Sequence, residues 1–237
     1  MRLSAVFFDI DDTLFSSTAC AVRARRSAVE AMVAAGLDVP VEQAAAELEE
    51  VVREFTSNYG HHYDKLILRL HQHLRPGVHP AVVVAAGVVA YHAMTSRLEP
   101  FPDAVAALRA LAATSLLRGV ISNGFTVKQA EKLVRLGLED AFSPGAFFIS
   151  EEIGVAKPHP RVFLLACEAL GLEPREALYV GDDPAKDVDP AHEAGLWTCL
   201  RRGAGKHAEA RGAHEPDFTL DDLGELPARL RERFTFP

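Results

Sequence analysis

The chain has 237 residues, of which 49% are hydrophobic and 24% charged, a composition that supports a buried core. It excludes a disordered segment, a collagen-like repeat and a small disulfide scaffold. With 33 acidic and 25 basic residues the formal charge is −8, so the broad basic surface of a nucleic-acid binder is lacking and no nucleic-acid partner is expected.

The N-terminus runs directly into Ala5-Val6-Phe7-Phe8, a wholly apolar run that reads as a strand of a parallel sheet buried on both faces. No signal-peptide layout precedes it. From Ser16 to Arg97 the pattern is helical throughout, broken at Gly36, Pro40, Gly60, Pro76-Gly77 and Pro80. The longest apolar stretch, Ala81 to Ala90, is too short for a membrane span. No membrane partner is expected, and a cytoplasmic location follows. Beyond Pro100-Phe101-Pro102 apolar runs recur at Leu117 to Ile121, Ala146 to Ile149, Ala177 to Val180 and Trp197 to Leu200.

Helical patterns separate these runs. Asp103 is placed to cap a helix carrying Val105, Leu108 and Leu111, and Thr126-Val127-Lys128-Gln129 has capping-box spacing before Ala130, Leu133 and Leu136. Gly137, Gly171 and Gly195 each follow such a pattern and read as helix stops. The tail returns through Asp217-Phe218-Thr219-Leu220 to a last helix near Leu223 to Leu230. Strand and helix alternating in this way predict an α/β fold, a doubly wound parallel sheet of residues 1–15 and 98–237. An all-helical domain of residues 16–97 is inserted after the first strand. The cysteines Cys20, Cys167 and Cys199 sit in apolar sequence and read as reduced, buried thiols.

Open parallel sheets present ligands at the carboxyl ends of their strands. The first run is followed by Asp9-Ile10-Asp11-Asp12-Thr13 and the second by Ser122-Asn123-Gly124. The third leads to Lys157-Pro158, and the fourth ends in Gly181-Asp182-Asp183 with Asp187 beyond. Asp9, Asp11, Asp182 and Asp187 brought together repel one another, a conflict that Mg²⁺ relieves by taking oxygen ligands while keeping water and substrate phosphate. Asp9 is placed to attack phosphorus and Asp11 to protonate the departing alkoxide and then deprotonate water. Ser122 and the amides near Asn123 and Gly124 are candidates to hold phosphoryl oxygens, with the Thr13 backbone nearby and Lys157 neutralising charge. For Asp12 and Asp183 helix capping competes with a role in the site.

In order, Asp9-x-Asp11-x-Thr13, Ser122, Lys157-Pro158 and Gly181-Asp182-x-x-x-x-Asp187 resemble the four signature motifs of the haloacid dehalogenase-like (HAD) hydrolase superfamily. The resemblance covers nearly the whole chain, helical cap included. It implies a Rossmann-like core, Asp9 as nucleophile, Asp11 as acid/base, Ser122 and Lys157 as phosphate ligands, and Mg²⁺ on Asp9, Asp182 and the Asp11 backbone carbonyl. Asp187 or Asp183 supplies further support, and the motif does not say which. Phosphatases of that superfamily carry an acid two residues after the nucleophile and carbon-halogen hydrolases lack it. The presence of Asp11 therefore implies a phosphatase of a small-molecule phosphomonoester, working through an aspartyl-phosphate.

At finer grain Ser57-Asn58-Tyr59, Ala86 to His92 and Thr126 to Gln129 resemble a branch best represented in archaea that includes glyceraldehyde-3-phosphate phosphatases. The alternatives are a receiver-type phosphoaspartate module, which is about half this length and has no cap, and a C-halogen hydrolase. In the cap, His61, His62 and Tyr63 are candidates to meet the leaving group. His61-His62 and His71-x-His73 lack the spacing of a zinc site with a general-base Glu. The assembly is expected to be a monomer or homodimer.

Overall fold

The computed structural model describes residues 1–56, 59–203, 205, 207 and 209–236. Ser57 and Asn58, which bear on the branch resemblance, lie outside the described residues. The chain divides into two compact units, Met1–Thr18 with Leu98–Pro237 and, between them, Ala19–Arg97.

In the first unit six strands form one parallel sheet: β1 (Ala5–Phe8), β2 (Leu117–Ser122), β3 (Phe147–Ile149), β4 (Ala177–Gly181), β5 (Trp197–Arg201) and β6 (Phe218–Leu220). Their order is β3-β2-β1-β4-β5-β6, so the expected doubly wound parallel sheet is observed, with β1 and β4 flanking the point where the winding reverses. All four residues of β1 are buried, as its unbroken apolar run requires of a central strand. The sixth strand has no counterpart among the expected apolar runs. Phe218-Thr219-Leu220 is short and pairs only with β5, and its signal is one buried Leu220.

One face of the sheet packs Phe7, Ile121, Phe148 and Tyr179 against Val162, Phe163, Ala166 and Cys167 of α8 (Arg161–Ala169) and against Ala191 of α9 (Asp189–Glu193). The cysteines are free and buried. Helix α5 (Pro102–Ala112) buries Ala104, Ala107, Leu108 and Leu111. Asp103 does not cap it. The cap position is Phe101, and Asp103 instead pairs with Arg201 at 2.9 Å and accepts from the Leu223 N–H at 2.8 Å.

Helix α6 (Thr126–Leu136) buries Gln129, Leu133 and Leu136 and ends on Gly137, whose φ of +64° is the left-handed conformation expected at a helix stop. Its capping box is not formed. The Thr126 N–H donates to Glu151 Oε2 at 2.7 Å, and Gln129 turns inward. Helix α7 (Ser150–Ile153) follows β3. The last helix, α10 (Leu226–Arg233), starts after a 3₁₀ turn at Leu223–Glu225, three residues later than expected.

The second unit is all-helical: most of α1 (Ser17–Ala34), then α2 (Val41–Phe55), α3 (His62–Leu70) and α4 (Pro80–Thr95). Val29, Met32, Leu37, Leu48, Leu66, Ile67 and Val83 form its core. Gly87 of α4 lies against Met32 of α1, where a Cβ would come within 2.8 Å of the thioether, so a larger residue would displace the Met32 side chain. Tyr63 meets Tyr91 edge-on, His61 pairs with Asp64 at 3.4 Å, and His62 Nε2 lies 2.7 Å from the Thr56 carbonyl. Among the described residues no histidine joins a cluster able to hold a metal, and no helix is long and apolar enough to cross a membrane.

Candidate active site

Strand register assembles the site. Phe8 is paired with Val120 on one side and with Val180 on the other, so Asp9 emerges beside Ile121 and Gly181. The Asp9 N–H donates to the Val180 carbonyl at 2.9 Å. Side chains alternate across a strand, which puts Phe7, Asp9, Tyr179 and Gly181 on one face. Gly181 matters because Asp187 occupies the space above it, and a Cβ there would lie 2.3 Å from Asp187 Oδ2.

Asp9, Asp182 and Asp187 are all buried and offer carboxylate oxygens within 4.8 Å of one another. Into this group reaches the Lys157 ammonium, 3.0 Å from Asp9 Oδ1 and 2.7 Å from Asp187 Oδ1. Burial opposes its charge, but the attraction of Asp187 and Asp9 overrides burial and holds its pKa above the ordinary lysine value. The backbone of Lys157 is clamped by Asn123, whose Nδ2 donates to the Lys157 carbonyl at 2.7 Å and whose Oδ1 accepts from its N–H at 2.8 Å. Tyr179 closes the set from below. Its hydroxyl accepts from Lys157 Nζ at 2.7 Å and donates to the Ile121 carbonyl at 2.8 Å.

Asp182 is the electrostatically strained member. Desolvation, then repulsion from Asp187, Asp9 and Asp12, pushes its pKa up to about 8. Its Oδ2 is buried with no hydrogen-bond partner. Asp187, whose Oδ2 accepts the Asp183 N–H at 3.0 Å, is likewise raised, first by burial. Three carboxylates, one of them with an orphaned oxygen, fit a hard oxygen-liganded cation such as Mg²⁺.

The remaining candidates take distinct places. Asp12 has a positive φ of 54° and grips the start of α1, accepting from Thr18 N at 2.9 Å and Thr18 Oγ1 at 2.5 Å. Asp183 caps the widened π turn Pro184–Val188, accepting from Ala185 and Lys186 N–H, and also meets His207 at 3.3 Å. For both residues capping is the observed role. Of the two supports that the fourth motif left open, it is the Asp187 carboxylate that joins the cluster.

Thr13 is fully buried and its hydroxyl has no partner, while Ser122, at the end of β2, is 2% exposed. The Gly124 N–H donates to Ser150 Oγ at 2.9 Å, so here that amide serves the loop rather than a phosphoryl oxygen. The Asp11 carboxylate lies outside the three-carboxylate group. Both its oxygens are held by Lys132 Nζ, at 2.7 and 2.6 Å. Tyr179 and Lys132 escaped the sequence reading because each lies inside a strand or helix pattern, Gln129 was read there as part of a capping box, and Ser150 follows the third apolar run without a motif of its own.

A family model described as haloacid dehalogenase-like hydrolase matches residues 3–195. A protein of Methanopyrus kandleri named glyceraldehyde 3-phosphate phosphatase is 43% identical over 235 residues, covering 97% of this chain and 98% of that one. A crystal structure of a HAD phosphatase from Thermococcus onnurineus superposes with a TM-score of 0.66 at 23% identity, covering 96% and 98%. One of a 2-haloacid dehalogenase from Pseudomonas syringae does so with 0.64 at 24%, covering 98% and 99%. The two structures share a fold across two chemistries, so the fold leaves the reaction open. A family match over most of the chain, on a doubly wound sheet with carboxylates at the ends of β1 and β4, establishes that this chain belongs to the haloacid dehalogenase-like hydrolases.

Proposed function

We propose that the chain is a Mg²⁺-dependent phosphatase of a small-molecule phosphomonoester, acting through an aspartyl-phosphate on Asp9. The observation that carries this reading is the convergence of Asp9, Asp182 and Asp187 around Lys157, with a second acid, Asp11, two residues beyond Asp9.

The Asp9 carboxylate attacks phosphorus as the ester P–O bond breaks, and Asp11 gives a proton to the departing alkoxide oxygen. In the second half Asp11 takes a proton from water, the water oxygen attacks phosphorus, and the Asp9–phosphorus bond breaks. Lys157 orients the Asp9 carboxylate through Oδ1 and offsets negative charge, in a buried setting where such charges act strongly. Ser122 and the amides of the Ser122–Asn123 turn hold phosphoryl oxygens, and the Thr13 backbone lines the same loop. Asp9, Asp182 and the Asp11 carbonyl would hold Mg²⁺, with Asp187 in support, and the cation would supply charge neutralisation for the phosphoryl group.

The name of the Methanopyrus kandleri relative supports glyceraldehyde 3-phosphate as the first substrate to try. A carbon-halogen hydrolase has no use for an acid at Asp11, and a receiver module does not account for a family match of this extent.

The test is phosphate release from p-nitrophenyl phosphate and a panel of phosphorylated metabolites, with Mg²⁺ and with chelator. Asp9→Asn is expected to lower turnover at least ~10³-fold, as loss of a covalent nucleophile does. Full activity in Asp9→Asn, or in chelator, refutes the mechanism.

A further inference from the structure

Asp11 has a restraint that the reaction as described does not use. Lys132 Nζ lies 2.7 Å from Asp11 Oδ1 and 2.6 Å from Oδ2, so one ammonium spans both oxygens of the carboxylate. Gln129, one turn earlier on α6, is 3% exposed. Its Nε2 donates to the Asn123 carbonyl at 2.5 Å and reaches Asp11 Oδ2 at 3.4 Å. Residues 129 and 132 share a helix face, and this face is rooted in the core by Leu133 and Leu136. The Lys132 and Asp11 side chains are only 29% and 33% exposed, so the contact is shielded more than a surface ion pair. It also breaks the expected pattern of α6. Gln129 abandons a capping box on its own helix, and the Thr126 N–H takes Glu151 in its place.

We propose that Lys132, seated by Gln129, is a positioning residue that sets the direction of the Asp11 carboxylate for proton transfer. This rests on the phosphatase reading above and assigns to α6 a part in it. An unrestrained carboxylate sweeps a cone about its χ angles. A cation anchored on a packed helix removes that freedom: it spans both oxygens of the ionised carboxylate and, when Asp11 is protonated, keeps hold of one oxygen while the other carries the proton, fixing the plane from which that proton is given to the leaving oxygen and later taken from water. Among the described residues the ion pair of Lys132 is with Asp11, so its effect reaches the reaction through Asp11.

The role has a signature that a structural lysine lacks. Proton donation matters most when the leaving group is poor. Lys132→Met should therefore lower kcat for phenyl phosphate by about tenfold more than for p-nitrophenyl phosphate, within the range of general acid catalysis. KM should be little changed for either ester. Lys132→Arg, which can also bridge two carboxylate oxygens, should restore most of the lost discrimination. The melting temperature should move by no more than a few degrees, as for a half-exposed ion pair. Should Lys132→Met be poorly folded, Lys132→Gln is measured in its place.

An unchanged kcat, or an equal loss on both esters, overturns the positioning role while leaving the phosphatase reading intact. An inactive wild type, or an active Asp9→Asn, overturns the phosphatase reading first.

Discussion

The carboxylate cluster makes the metal-free protein pH-sensitive in a direction opposite to most folded proteins. Asp182 has its pKa raised from 3.8 to about 8, by burial first and then by Asp187, Asp9 and Asp12. A carboxyl group whose pKa is higher in the folded state favours folding fully only below its unfolded value, and that contribution is lost as pH rises through the folded value. The groups with lowered values, Asp103, Asp189, Glu42 and Glu131, act in the other direction but are already ionised above about pH 5.5 in both states. Lys157 stays charged throughout. Between pH 5.5 and 8 the raised acid Asp182 therefore dominates.

At ~1.4 kcal/mol per tenfold change in proton affinity, keeping Asp182 protonated in the fold at pH 7, where the unfolded chain has it ionised, costs at most about 4 kcal/mol, and relaxation of the site lowers this to ~2. In chelator, wild-type stability from urea melts should fall by about that amount from pH 5.5 to 8, and Asp182→Asn should flatten the fall and exceed wild type at pH 8. Excess Mg²⁺ should reverse the order, since a ligand at 100 times its Kd adds ~2.7 kcal/mol to the wild type. Wild-type stability in chelator that stays flat or rises over this range, or an Asp182→Asn variant no more stable at pH 8, would refute the electrostatic account.

Two further substitutions probe the same cluster. Lys157→Met leaves Asp9 and Asp187 buried without their shared cation; it should destabilise by about 3–5 kcal/mol, read from the urea midpoint, and abolish turnover. Gly181→Ala places a methyl group 2.3 Å from Asp187 Oδ2. It should cost ~1–3 kcal/mol and weaken Mg²⁺ protection against thermal unfolding, whereas alanine at the open position Gly171, where the obstacle is only a φ of +66°, should leave that protection intact.

Much of the fold could be read locally. Ala5 to Phe8 and Ala177 to Val180 are apolar without alternation because both faces of a central parallel strand are covered. Glycine past each helical pattern marked the stops, and Gly137, Gly171 and Gly195 all take positive φ. The carboxylates stood out for a related reason: a charge directly after a buried strand has little packing purpose. Local reading failed where a residue had two uses. Thr126 to Gln129 scans as a capping box, and Asp103 scans as a cap. In the folded chain the Gln129 and Asp103 side chains are drawn to partners far along the sequence.

The order of apolar runs, glycine stops and strand-end acids was sufficient to specify a doubly wound sheet and the carboxylates that emerge from it, because each signal is carried by a few neighbouring residues. The inner arrangement of the site is different in kind. Tyr179 reaches Lys157 across 22 positions and Lys132 reaches Asp11 across 121. Such pairs exist only once β1 lies between β2 and β4 and α6 packs down by Leu133 and Leu136. Whether a lysine on a helix faces solvent or a carboxylate depends on which strand lies beside which, and that is settled by burial of the whole core.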